Sequence, residues 1–152
     1  MNSLPEIGRL LRVSEQLQRR CELTLQQARA RLKPVAAELA DIAEQHRSLT
    51  QSMVSQRASN CTLSHAQLMT LLRHQAILRR QQQNLALDQA RVEEQRSNIE
   101  REVQEYRQQR QVLLRKHTKF TGLQQRLTRQ QMLASLRREE IEIEESTRPR
   151  YE

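Results

Sequence analysis

The sequence predicts an all-α fold: a long antiparallel two-helix coiled-coil hairpin with an overhanging C-terminal arm. Three observations carry this. Two long segments repeat apolar residues at coiled-coil spacing. A helix-start signal separates them near residue 64. The chain holds only two glycines and three prolines in 152 residues, too few for the turns of a β-sandwich or an α/β fold. Gln and Arg dominate, with 22 and 23 copies against three Lys. Together with Glu, Leu and Ala they favour helix. So polar a chain competes with disorder, and its sustained periodicity decides for helix.

The first segment, about residues 3–56, alternates steps of four and three. The stripe reads Ile7, Leu11, Ser14, Gln18, Cys21, Leu25, Ala28, Leu32, Val35, Leu39, Ile42, His46, Leu49 and Met53. Eleven of these fourteen are apolar, counting Cys21, which is the pattern of a coiled-coil seam. Pro34 removes one helical hydrogen bond. The stripe runs through it from Leu32 to Val35, so a kink within one continuing helix is expected. His46 is expected at the edge of the core.

The chain then stops and restarts. "RASNC" at 57–61 reads as a loop, with the turn over residues 57–63. Ser64 can cap a helix by accepting the Gln67 N–H, and Gln67 can reach back to the Ser64 N–H. Leu63 and Leu68 have the spacing of a hydrophobic staple.

The second segment, about residues 64–146, places an apolar residue at every seventh position from Leu71: Leu71, Leu78, Leu85, Val92, Ile99, Tyr106, Leu113, Phe120, Leu127, Ala134 and Ile141. A strict seven-residue repeat implies a left-handed supercoil. The companion positions are mostly polar, among them Gln75, Gln82, Gln89, Arg96, Val103, Arg110 and His117. As helices the segments would measure roughly 80 and 120 Å. A short connection favours antiparallel neighbours. The whole chain, 1–152, then reads as a single coiled-coil domain. Its second helix outruns the first beyond about Leu114 and bends near "HTKFTG" at 117–122. A two-helix fold buries little, so modest stability and dependence on partners are expected.

The formal net charge of +8 is uneven. Residues 106–138 contain nine Lys or Arg and no Asp or Glu: Arg107, Arg110, Arg115, Lys116, Lys119, Arg126, Arg129, Arg137 and Arg138. The acidic run "EEIEIEE" follows at 139–145. An arm of like charge repels itself, which points to a partner with an acidic surface.

Other chemistry is poorly represented. The only glycines, Gly8 and Gly122, form no phosphate-binding loop. His46, His65, His74 and His117 lack metal-ligand spacing, and Cys61 with His65 supplies only two ligands. Glu93 and Glu94 lie on an outer helix face with no pocket. No enzyme activity and no cofactor or small-molecule substrate is expected. The two cysteines fit a reduced compartment and are too far apart along the helices to pair. The N-terminus lacks an apolar signal region, and no stretch is long and apolar enough to span a membrane. A cytosolic protein is expected, unless a partner recruits it elsewhere.

The stretch "LSHAQLMTLLRHQAILRRQ" at 63–81 resembles the small coiled-coil stalk proteins of bacterial type III secretion systems, of the InvI/SpaM branch related to FliJ and YscO. Leu63, Ser64, Thr70, Leu71, Leu72, Arg73, Gln75, Ile77, Arg79, Arg80 and Gln81 carry the resemblance. A weaker likeness continues through "LRK" at 114–116 and the acidic C-terminal end. The resemblance implies a hairpin like the γ-subunit coiled coil of rotary ATPases, peripheral at the cytoplasmic face of the inner-membrane apparatus. Its termini would enter a hexameric secretion ATPase, and the opposite part of the hairpin would contact the cytoplasmic domain of the export gate. Some members also bind secretion chaperones. On this basis the ATPase-binding residues would be Ile7, Leu10, Leu11, Leu123, Leu127, Leu133 and Leu136. The gate-binding residues would be Leu68, Leu72, Arg73, Ile77, Arg79 and Arg80. The resulting expectation is a non-enzymatic central stalk. The rival readings are a chaperone escort or scaffold, and a basic coiled coil binding nucleic acid. The last lacks a recognised motif and aromatic stacking residues.

Overall fold

The computed structural model describes residues 3–57 and 62–149. Of the described residues, 94% are helical, in two helices that pack against each other as an all-α hairpin. Helix α1 spans Leu4–Ser55 and helix α2 spans His65–Thr147. Among the described residues there is no strand.

Local signals set the helix starts. At α1 the Ser3 N–H donates to Glu6 Oε2 at 3.0 Å, satisfying one donor that no helical carbonyl can reach. At α2 the capping box forms in full. The Gln67 N–H donates to Ser64 Oγ at 3.2 Å, and the Ser64 N–H donates to Gln67 Oε1 at 3.0 Å. Leu63 and Leu68 remain 38% and 42% exposed. Of the expected loop, residues 58–61, including Cys61, lie outside the described residues.

Contacts divide the chain into two compact units. One comprises Leu25–Glu105, and the other comprises Met1–Thr24 with Tyr106–Glu152. In the Leu25–Glu105 unit, α1 runs through Pro34 without a break. Val35, Ile42 and Val92 form a dry core, with Leu39, Leu85 and Ile99 packed on it. Leu25, Ala28 and Val103 are also buried. Ion pairs flank this seam: Arg31 with Glu102, and Arg91 with Glu38 at 3.7 Å. They set the two helices antiparallel. All four side chains are more than 40% exposed, so the pairs add little to the apolar burial. His46 corrects its expectation. It faces solvent, and its Nδ1 lies 3.2 Å from Thr50 Oγ1 one turn along the same helix.

The second unit has a different seam. Its buried residues are Ile7, Ser14 and Cys21. Gln18 Nε2 donates to the Leu113 carbonyl at 3.4 Å, Cys21 Sγ donates to the Tyr106 carbonyl at 3.4 Å, and Arg110 meets Glu22 at 3.5 Å. These pairs are antiparallel as well. Continued toward the start of α1, the register sets Ile7 near Gln124, within the half-buried stretch 120–124.

The overhang therefore begins later than about Leu114. His117, Phe120 and residues 121–124 and 127 are half-buried, and every residue from 128 to 147 is exposed. The reason lies at the other end of α2. Residues 62–70 are all exposed, and half-burial begins at Leu71. The first turn and a half of α2 takes no part in the seam, which slides the pairing toward the C-terminus. Nor does "HTKFTG" interrupt α2. The Thr118 and Thr121 hydroxyls donate to the Leu114 and His117 carbonyls at 2.9 and 2.8 Å, satisfying themselves within the helix.

Candidate interaction surfaces

Leu68, Leu72, Arg73, Ile77, Arg79 and Arg80 are all exposed on α2 in the Leu25–Glu105 unit. At 100° per residue, Leu68, Leu72 and Arg79 fall in one line, whereas Arg73 and Arg80 point about 100° away from it. The exposed fractions are 42% for Leu68 and 49% for Leu72. Ile77, 54% exposed, lies beside Arg73 and Arg80, on the side of the helix turned away from Leu68. No ion pair holds any of the three arginines among the described residues. This end of α2 can offer a partner two leucines with Arg79 on one side and Ile77 with Arg73 and Arg80 on the other.

The residues expected to meet an ATPase belong to the other unit, and the structure sorts them by burial. Ile7 is 0% exposed and belongs to the seam. It has no surface left to offer a partner, so it is removed from the candidate contact surface. Leu11, Leu123 and Leu127 are half-buried. Leu10, Leu133 and Leu136 are exposed. Two further groups escaped sequence reasoning. Val13 and Leu17 are exposed and join Leu10 in an i, i+3, i+7 stripe on α1. Met132 and Ile143 are exposed on the face of α2 that carries Leu136. In both cases the spacing was visible. The dominant seam periodicity masked it: the α1 stripe runs beside the seam, and the α2 stripe lies on the side of the helix opposite it.

Charge surrounds these stripes. Of the nine cations in residues 106–138, Arg110 pairs with Glu22. The other eight make no ion pair among the described residues. The seam beneath them is polar and incompletely satisfied. Ser14 Oγ, Arg110 Nε and His117 Nδ1 are buried without a hydrogen-bond partner. Such orphans weaken a packed interface, since each loses its water without replacement.

Among the described residues, no helix is long and apolar enough to cross a membrane, and no group of three or more His, Cys, Asp or Glu side chains could hold a metal ion. Two long helices packed against each other, with no strand among the described residues, define an all-α helical hairpin protein. The chain belongs to the Salmonella surface presentation of antigen gene type M family, which it matches over residues 5–147. That family consists of type III secretion-apparatus components and is not a known enzyme family. No curated protein and no solved structure gives a significant match to the chain.

Proposed function

We propose that the chain is a non-enzymatic central stalk of a bacterial type III secretion apparatus, linking the hexameric secretion ATPase to the export gate at the cytoplasmic face of the inner membrane. The observation that carries this reading is the C-terminal arm of α2. From residue 128 to 147 it is helical and exposed throughout, and it displays Met132, Leu133, Leu136 and Ile143 at 47–63% exposure. A monomer rarely leaves such a row open without a use for it. The arm continues a tract of unpaired cations, which suits acidic groups lining a partner's channel. The Leu10–Val13–Leu17 stripe of α1 extends the docking surface. The gate contact falls to Leu68, Leu72, Arg73, Ile77, Arg79 and Arg80.

The register fixes how this should be tested. Ending the chain at Leu127 removes the arm and leaves the half-buried seam intact, whereas a cut at residue 123 would also uncover Ile7. The shortened chain should remain helical by circular dichroism and fail to co-purify with the cognate ATPase. A shortened, helical chain that still binds and stimulates the ATPase would remove the arm from the mechanism. A secretion chaperone or nucleic acid would then be the next partner to try.

A further inference from the structure

The arm carries a second pattern that the stalk reading does not use. Cations stop at Arg138 and carboxylates start at Glu139, so "LRREEI" at 136–141 reads apolar, basic, basic, acidic, acidic, apolar. Reversed in direction, the motif is complementary to itself. At 100° per residue, Arg129, Met132, Leu133, Leu136, Glu140 and Ile143 share one face of α2, bordered by Arg137 and Glu144. That face is cationic toward its N-terminal half and anionic toward its C-terminal half, with exposed apolar side chains in both halves.

We infer that, in the free protein, this face is covered by the same face of a second copy, the two arms running antiparallel about the Arg138–Glu139 junction. Antiparallel overlay brings Leu133 and Leu136 of one copy beside Ile143 and the stem of Glu140 of the other. It places Arg137 opposite Glu140, twice over by symmetry, with Glu144 the nearest carboxylate to Arg129 on that face, about one turn away. A parallel arrangement would set cations against cations and carboxylates against carboxylates, which destabilises it. Two helices about 20 residues long with a handful of exposed ion pairs associate weakly, because each such pair contributes only about 0.2–1 kcal/mol. The result is a concentration-dependent dimer that a better-fitting partner displaces. This inference goes beyond the stalk reading and stands or falls on the full chain alone, with no ATPase present.

The test uses two charge-reversed variants of the full chain, R129E/R137E and E140R/E144R. In the first the four substituted and facing charges, at 129, 137, 140 and 144, are all acidic, and in the second all basic. Sedimentation equilibrium should show the native chain self-associating as its concentration rises, and less so at high salt. Each variant alone should associate at least about tenfold more weakly. The equimolar mixture of the two should regain association, now as a heterodimer, while circular dichroism shows both to be helical. A native chain that stays monomeric across the concentration range overturns the inference. So do single variants that dimerise like the native chain, or helical variants whose mixture does not associate.

Discussion

The Cys21 thiol donates a hydrogen bond to the Tyr106 carbonyl across the helix–helix seam, at 3.4 Å. Cys21 is 7% exposed, and its neighbours in the same unit include the orphaned Ser14 and Arg110 atoms. A thiol is a weak donor and a small hydrophobe. The bond therefore ties α1 to α2 lightly, at a level of the seam where apolar filling is scarce.

This makes Cys21 a reporter of local opening. In a Cys61→Ser background, Cys21 should react with a thiol reagent at least about tenfold faster than a cysteine placed at position 42 in a chain lacking the other two. Ile42 sits in the dry Val35–Ile42–Val92 core, whose opening exposes more apolar surface. Equal labelling rates would mean that the two seams open only together.

Ser14→Ala should stabilise the protein by about 1 kcal/mol, seen as a raised thermal midpoint by circular dichroism. Its hydroxyl is buried without a partner, so removing it relieves an unreplaced loss of water. A lowered midpoint would mean that water bridges Ser14 to a neighbour such as His117.

The capping box should behave as one device. Ser64→Ala and Gln67→Ala should each cost about 1 kcal/mol in urea unfolding, and the double substitution less than the two combined, because each side chain serves the other's backbone N–H. Strict additivity would show that the reciprocal bonds act independently.

What the sequence made legible follows from how strongly each feature is patterned. The seam from Ile7 to Met53 and from Leu71 to Leu127 could be read directly, since burying an apolar stripe fixes which face turns inward. The Ser64–Gln67 box was legible because its geometry is local. Pairing register was not. It depends on how much of α2 stays outside the seam before Leu71, and residues 65–70 look as helical and as apolar as those that follow. The misplaced start of the overhang and the inclusion of Ile7 as a contact both follow from that. His46 went astray because a stripe position says where a side chain could point, whereas its ring bonds Thr50 and stays in water. The candidate surfaces were only half visible, because Met132, Ile143, Val13 and Leu17 repeat at the same helical spacing as a stronger stripe.

Reversing charge on the face near the start of α2 should separate two roles. Arg79→Glu with Arg80→Glu should abolish export in cells, while binding to the ATPase in vitro stays within about twofold, since charge reversal inverts the steering of an acidic partner. Both side chains are exposed and unpaired, so helix content should not change. Normal secretion by the double variant would move the gate contact elsewhere.

The stalk assignment itself is tested most directly by the mass of the complex with the cognate ATPase. Native mass spectrometry of the mixture, with ATP hydrolysis followed in parallel, should give one copy of the chain per six ATPase subunits and a raised hydrolysis rate. Several copies per hexamer, or binding only to ATPase monomers, would contradict a central stalk and favour a peripheral escort or scaffold.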